Sequence, residues 1–212
     1  MRRENAPDRL LVEGSDDKWS VINLMKQYGV DWDDTKARLP LVQDCGGIDG
    51  ILKSVGVAVK TYERLGLVID ANSDLIVRWS RITSTLQKAG IKMADSPAQE
   101  GLIFPGIDHE RKVGVWLMPD NNQMGKLEDF LSTLIPSGDC CWEYADQVTK
   151  KAKDLGAPFM AKDSLKARIH TWLAWQEKPG VPFGTAINAA YFKHDSPVAI
   201  RFVNWFRKLF LK

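Results

Sequence analysis

The chain has 212 residues and carries 29 Lys and Arg against 27 Asp and Glu, so its net charge of +2 does not by itself favour nucleic acid as a partner. Its hydrophobic fraction of 44% is ordinary for a globular protein, and no apolar run approaches the roughly 18 residues that a membrane span needs, so we expect no membrane association. The three cysteines form no CxxC and the N-terminus has no apolar signal-peptide core, which argues against a disulfide framework or a zinc ribbon and predicts a cytoplasmic protein.

Five apolar runs in the first two thirds of the chain have the length and composition of strands. They are, in chain order, RLLVE, LPLVQD, LGLVID, EGLIFPG and KVGVWLMPD. Segments with helical spacing follow most of these runs, and either Ser15 or Asp16 is expected to cap the first helix. Strands and helices that alternate at this spacing predict an α/β fold over residues 8–136, with a mostly parallel, Rossmann-like sheet and helices on both faces.

The last third of the chain has no strand pattern and predicts three or four helices. We expect residues 137–212 to form an all-helical C-terminal extension that packs on the sheet, its last helix capped by Ser196 with Pro197 at its first position. The final segment, RFVNWFRKLFLK, is apolar nearly all round, so it is either well buried or docked on a partner. Its mixture of aromatic and basic residues also suits contact with nucleic acid.

Carboxylates gather at the ends of three of the apolar runs, in LLVEGSDDK, GLVIDANSD and VWLMPDNNQMGKLEDF. The carboxyl ends of parallel strands lie at one edge of a sheet, which is where open α/β sheets place their ligand sites. Carboxylates from separate strands repel one another unless a cation neutralises them, and hard oxygen ligands suit Mg²⁺ or Mn²⁺. The sequence therefore predicts a divalent-metal site at this edge.

The first two acidic segments supply candidate metal ligands. Glu13 directly follows the first strand, and Asp17 lies four residues later in the first helical turn. Asp70 and Asn72 alternate at the end of the third strand, so they point the same way and could face one ion, with Asp74 behind as a helix cap or outer ligand. The alternative is that the first segment holds only helix-dipole carboxylates and the second is an Asx-turn that leads into a capped helix.

These motifs resemble the Toprim domain, which topoisomerases, bacterial primases and the overcoming-lysogenisation (OLD) nucleases share. The resemblance rests on VEG with an aspartate four residues after the glutamate, and on an apolar strand that ends in an Asp-x-Asp-like turn. PDNNQMGKLEDF and KARIHTWLAWQEKPGVPFGTAI look like small stand-alone bacterial Toprim-like proteins related to the OLD nucleases. The resemblance thus extends over nearly the full chain and implies a Toprim-like fold.

The resemblance also implies roles for individual acids. Glu13 matches the Toprim glutamate, Asp17 the acid that follows it, Asp70 the first acid of Asp-x-Asp and Glu128 the later glutamate. In the family these positions bind Mg²⁺ or Mn²⁺, with the first glutamate also available as a general base.

One position departs from the family pattern. Asn72 stands where the second aspartate is expected, and it offers a neutral carbonyl ligand that would hold an ion more weakly. Asp74 and Asp120 are candidates to compensate, although neither has the matching spacing. The OLD nucleases also use a lysine from a later helix, for which Lys166 is the candidate and Lys162 a rival, and either lysine is equally compatible with a solvated helix face.

We therefore expect a Mg²⁺-dependent nuclease that cuts DNA or RNA, as in phage-defence systems. The alternative is a catalytically weak binding or regulatory subunit that acts with a separate ATPase, since this chain has no GxxxxGK[ST] motif. A homo-oligomer is compatible with both. A phosphatase with Asp70 as its nucleophile is disfavoured because the Asp-x-Asp-[TV] signature is absent.

Overall fold

The computed structural model describes residues 6–34, 36–108 and 110–211, so Lys212 at the end of the predicted extension lies outside the described residues. The five strands are β1 (Asp8–Val12), β2 (Leu41–Asp44), β3 (Arg64–Asp70), β4 (Leu102–Pro105) and β5 (Lys112–Met118). The helices are α1 (Ser15–Gln27), α2 (Ile48–Thr61), α3 (Leu75–Lys88), α4 (Leu127–Ser132), α5 (Cys140–Asp154), α6 (Ser164–Leu173), α7 (Phe183–Asn188) and α8 (Pro197–Phe210). No helix in the described ranges is long and apolar enough to cross a membrane.

The strands form one sheet in the order β2-β1-β3-β5-β4. Four of them are parallel, and β4 pairs antiparallel with β5 at one edge. Pro105 at the end of β4 fits this edge position, because proline cannot donate a hydrogen bond to a further strand. The predicted mostly parallel, Rossmann-like sheet with helices on both faces is confirmed.

The side chains of the central strands alternate between two separate hydrophobic cores, one on each face of the sheet. Leu65, Leu67 and Ile69 of β3 pack with α2 and α3 on one face, which we call the α3 face. Val68 points to the opposite face, where the core includes residues of α1 and of α4 through α8; we call this the α6 face. The predicted helical extension therefore contributes to the same core as the N-terminal elements.

Helix α8 lies close to the sheet because two glycines provide the space. Gly66 and Gly114 are partners in the register of β3 and β5. A Cβ at Gly66 would lie 2.9 Å from Phe210 Cζ, and one at Gly114 would lie 2.5 Å from Leu209 Cδ2. Most apolar side chains of α8 are thus buried inside this chain, although Ile200 is exposed, and this burial accounts for the composition of the helix.

The two predicted helix caps have different outcomes. Ser196 caps α8 as expected, with its Oγ accepting from Ala199 N–H at 3.1 Å. The cap of α1 is Gly14 rather than Ser15 or Asp16. The Gly14 N–H donates to Asp17 Oδ2 at 3.0 Å, so the first turn is closed by an acid inside the helix rather than before it.

Candidate functional site

Four of the predicted acids line one cavity of about 340 Å³ at the carboxyl edge of the sheet: Glu13, Asp17, Asp70 and Glu128. Glu13 directly follows β1 and Asp70 is the last residue of β3, and these two strands are parallel neighbours whose ends therefore meet. Asp17 comes from the first turn of α1 and Glu128 from the first turn of α4. Elements far apart in the chain thus bring the four carboxylates together.

Backbone hydrogen bonds hold three of these acids in place. The Asp70 N–H donates to Glu13 Oε1 at 3.0 Å, which ties the end of β1 to the end of β3. The Leu127 N–H donates to Asp70 Oδ1 at 3.1 Å, which brings the start of α4 to the same point. The Gly14 N–H donates to Asp17 Oδ2. Each of these three acids therefore has one oxygen held by one of these three hydrogen bonds.

Lys166 of α6 supplies a positive charge at the rim of this cavity. Its Nζ lies 3.4 Å from Glu128 Oε1 and 3.2 Å from Asp16 Oδ2. The Glu128 side chain is 11% exposed, whereas that of Lys166 is 42% exposed, so the lysine reaches inward from the solvent. It can therefore meet a ligand that enters the cavity.

Burial and mutual repulsion alter the protonation of the acids. Burial, then the charges of Asp17, Glu13 and Glu128, raise the pKa of Asp70 to about 8. Burial, then the charge of Glu13, raise the pKa of Asp17 to about 7. Burial also raises the pKa of Glu13, against a hydrogen bond from Asp70 N–H and the charge of Arg78. The cluster therefore retains protons at neutral pH unless a cation neutralises it.

The donor set is chemically suited to a hard divalent cation, since it consists of carboxylate oxygens. Within the described parts of the chain, however, no group of three or more His, Cys, Asp or Glu residues is arranged so that it could hold a metal ion. One oxygen of each of the four acids is already engaged, by a backbone N–H in Glu13, Asp17 and Asp70 and by Lys166 in Glu128. These side chains would have to turn to ligate an ion together.

A family model covers almost the whole chain. It matches residues 7–211 and carries the description "Protein of unknown function (DUF3226)". The chain belongs to this family. No curated protein and no solved structure matches it. The DUF3226 match includes the four acids, Lys166 and the C-terminal helices, so the family is defined over the sheet and its extension together.

Two predicted ligands of this DUF3226 protein lie outside the acidic cavity. Asn72 and Asp74 line a separate pocket of about 170 Å³ together with Arg78 and Arg81. The expectation that Asn72 points the same way as Asp70 required an extended chain, but β3 ends at Asp70 and Asn72 has a φ of 56°. Its N–H and C=O pair with Gly125 at 2.7 and 2.8 Å.

Asp74 and Asp120 serve the local backbone. Asp74 is the N-cap of α3, and its Oδ1 accepts from Val77 N–H at 2.9 Å, as the capped-helix alternative predicts. Asp120 Oδ1 accepts from Asn122 N–H and Gln123 N–H at 3.0 and 2.9 Å. Neither acid lines the cavity, so neither compensates there for Asn72.

The lysines around the cavity include one that the sequence analysis missed. Of the two lysine candidates, Lys166 lines the cavity and Lys162 does not. Lys126 also lines it, and its Nζ donates to the backbone carbonyl of Lys162 at 3.3 Å. Its position two residues before Glu128 and after a glycine was the signal available in the sequence.

Proposed function

We propose that this protein is a metal-dependent nuclease that hydrolyses phosphodiester bonds of DNA or RNA at the acidic cavity. The observation that carries the proposal is the convergence of Glu13, Asp17, Asp70 and Glu128 beside Lys166 at the carboxyl edge of the sheet. These are the positions at which the sequence resembles the Toprim domain of the OLD nucleases. The expected ion is Mg²⁺ or Mn²⁺, because all the donors are hard oxygens.

The residues of the chain have separate tasks in this proposal. Bound to Glu13, Asp17, Asp70 and Glu128, a divalent ion would lower the pKa of an attacking water and neutralise charge on the phosphate. As an alternative to binding the ion, Glu13, whose Oε1 accepts from Asp70 N–H, would accept the proton of the attacking water. Lys166, which contacts Glu128, would stabilise the negative charge that develops on the phosphate oxygens.

A second candidate function is a binding or regulatory subunit with a weak or absent catalytic site, acting with a separate ATPase. Two observations favour it: the lack of a ready three-ligand group in the described residues, and the position of Asn72 outside the cavity. For both functions the proposed setting is the cytoplasm, and the nuclease fits a role in phage defence. A cleavage experiment and a metal-binding experiment together separate the two functions.

The test is cleavage of plasmid DNA, single-stranded DNA and total tRNA by the purified chain in Mg²⁺ and in Mn²⁺. Glu13→Gln and Asp70→Asn remove charge from the cavity, whereas Asp154→Asn removes one from the exposed end of α5 and is the matched control. The nuclease is supported if Glu13→Gln and Asp70→Asn lose cleavage while Asp154→Asn keeps it. Cleavage by all four proteins indicates contamination and refutes it.

Absence of cleavage leads to two different conclusions, which Mn²⁺ titration of the wild type separates. If the wild type binds Mn²⁺ and Asp70→Asn does not, the cavity is a metal site in a subunit that lacks its partner, and the second candidate is favoured. If neither protein binds Mn²⁺, the metal-dependent nuclease is wrong.

A further inference from the structure

Basic residues border the acidic cavity on both faces of the sheet. On the α6 face, Lys126 and Lys166 line the cavity itself. On the α3 face, Arg78 and Arg81 of α3 line the neighbouring pocket. Since Asp70 ends the strand between these two faces, the acids lie between two groups of cations.

The pocket on the α3 face is next to the acidic cavity along the chain and in space. Its floor is the loop Ala71–Asp74, which begins directly after Asp70. The backbone pairing of Asn72 with Gly125 joins this loop to the residue before Lys126. The charges of both arginines also act on Glu13, which lines the acidic cavity. The two pockets are therefore adjacent, on either side of the Asp70–Asn72 segment.

The pocket has an excess of positive charge. It contains Arg78, Arg81 and the carboxylate of Asp74, whose Oδ1 is already occupied by Val77 N–H. Arg81 pairs with Asp49 at the surface, whereas Arg78 forms no ion pair within 4.0 Å among the described residues. Two arginines thus line one small pocket, and arginine contacts phosphate through paired N–H groups.

We propose that the Arg78–Arg81 pocket receives a backbone phosphate next to the scissile one, so that the substrate strand crosses the sheet edge from the α3 face to the α6 face. This inference rests on the nuclease proposed above and narrows its substrate class. A small phosphate ester reaches only one of the two basic groups, whereas a polynucleotide reaches both across the acids. The substrate is therefore a strand that continues on both sides of the cut.

The test measures how a fluorescein-labelled single strand binds as the salt concentration changes, with Ca²⁺ in place of Mg²⁺. The variant is Arg78→Gln with Arg81→Gln, and the control is Lys150→Gln with Lys151→Gln on α5, which removes the same charge from residues that line neither pocket. Each lost phosphate contact lowers the slope of log K against log salt by about 0.7 on a single strand, and the pocket holds one phosphate, so we expect a fall of about 0.7. This corresponds to an affinity about 5-fold weaker near 0.1 M salt.

Further variants and a cleavage assay distinguish the possible failures. Arg78→Gln alone leaves the Arg81–Asp49 pair intact, and it is expected to lower the slope by about half as much even if the double variant is unstable. If the wild type cuts nucleic acid but the arginine variants bind with the slope of the wild type, the phosphate pocket is wrong and the nuclease stands. If the wild type neither binds nor cuts any strand, both proposals fail.

Discussion

Replacing Asp70 by asparagine should stabilise the metal-free protein at neutral and alkaline pH. The substitution keeps an oxygen that can accept from Leu127 N–H, so the hydrogen bond between β3 and α4 is preserved. It removes a negative charge that burial and three neighbouring acids make unfavourable. A substitution that damages the proposed activity is therefore expected to increase the stability of the folded protein.

The size of this effect follows from the shift in pKa. The pKa of Asp70 is about 8 in the folded protein, against the ordinary value of 3.8. At about 1.4 kcal/mol for each pKa unit, the ceiling is ~6 kcal/mol. In the variant the other three acids still repel one another and can share a proton among themselves, so the full ceiling is not reached. We therefore expect the free energy of unfolding to rise by about 2–4 kcal/mol, which raises the melting temperature by roughly 5–15 °C.

The gain in stability from Asp70→Asn depends on pH. Between the ordinary pKa of 3.8 and the folded value of about 8, the folded wild type binds a proton that the unfolded chain releases. Wild-type stability therefore falls as pH rises through this window and levels off above it. Asp70→Asn lacks this proton, so its advantage should be absent near pH 4, grow towards pH 8 and then remain constant.

The assay is urea denaturation of the wild type and Asp70→Asn in EDTA at several pH values across this window. Asp154→Asn, at the exposed end of α5, is the control and should differ little from the wild type. An Asp70→Asn protein that is less stable than the wild type at every pH, or whose advantage does not change with pH, would refute the proposed crowding of acids. If the cavity binds Mg²⁺, adding this ion should reduce the difference in unfolding free energy between the wild type and Asp70→Asn at high pH.

Two further predictions concern the lysines and the glycines. Lys166→Gln should lower the cleavage rate about 10²–10³-fold and reduce stability, because Glu128 loses the positive charge beside it. Lys162→Gln, outside the cavity, should cut normally, and equal losses of cleavage in both variants would contradict the role assigned to Lys166. Gly114→Ala should destabilise the fold by about 1–3 kcal/mol in urea denaturation because its Cβ would lie 2.5 Å from Leu209 Cδ2. Gly56→Ala, in a helix with nothing within 4 Å, should instead stabilise by about 0.5–1 kcal/mol, and destabilisation there would show that α2 is crowded.

The strand ends of this protein could be predicted from the sequence because they combine two simple patterns. Apolar runs such as LGLVID are too continuous for a surface strand, and a carboxylate at the end of each run marks the carboxyl edge. This pattern predicts that Glu13 and Asp70 lie together, and Asp70 N–H indeed donates to Glu13 Oε1. The position of Glu128 is predicted only by the Toprim resemblance, since nothing local in the sequence places the start of α4 at the end of β3.

The sequence could not show where β3 stops or which side chains follow it. The prediction for Asn72 assumes that alternation continues past Asp70, but the loop turns there at a positive φ, which asparagine tolerates, and Asn72 pairs with Gly125. That pairing joins residues 53 positions apart and leaves no periodic signal. Arg78 and Arg81 were missed for a related reason, because charged residues on an exposed helix face do not reveal which cavity they border.

The glycines beneath α8 affect the order in which the chain can fold during synthesis. Residues 197–210 leave the ribosome after all five strands, yet Leu209 and Phe210 lie over Gly66 at the centre of the sheet. Until they emerge, α8 does not cover its part of the α6 face, and the nascent chain exposes apolar side chains such as Trp116 to water. Contacts that span almost the whole chain also slow folding. A stall in translation before α8 should therefore leave the acidic edge unassembled and the unfinished chain prone to aggregation.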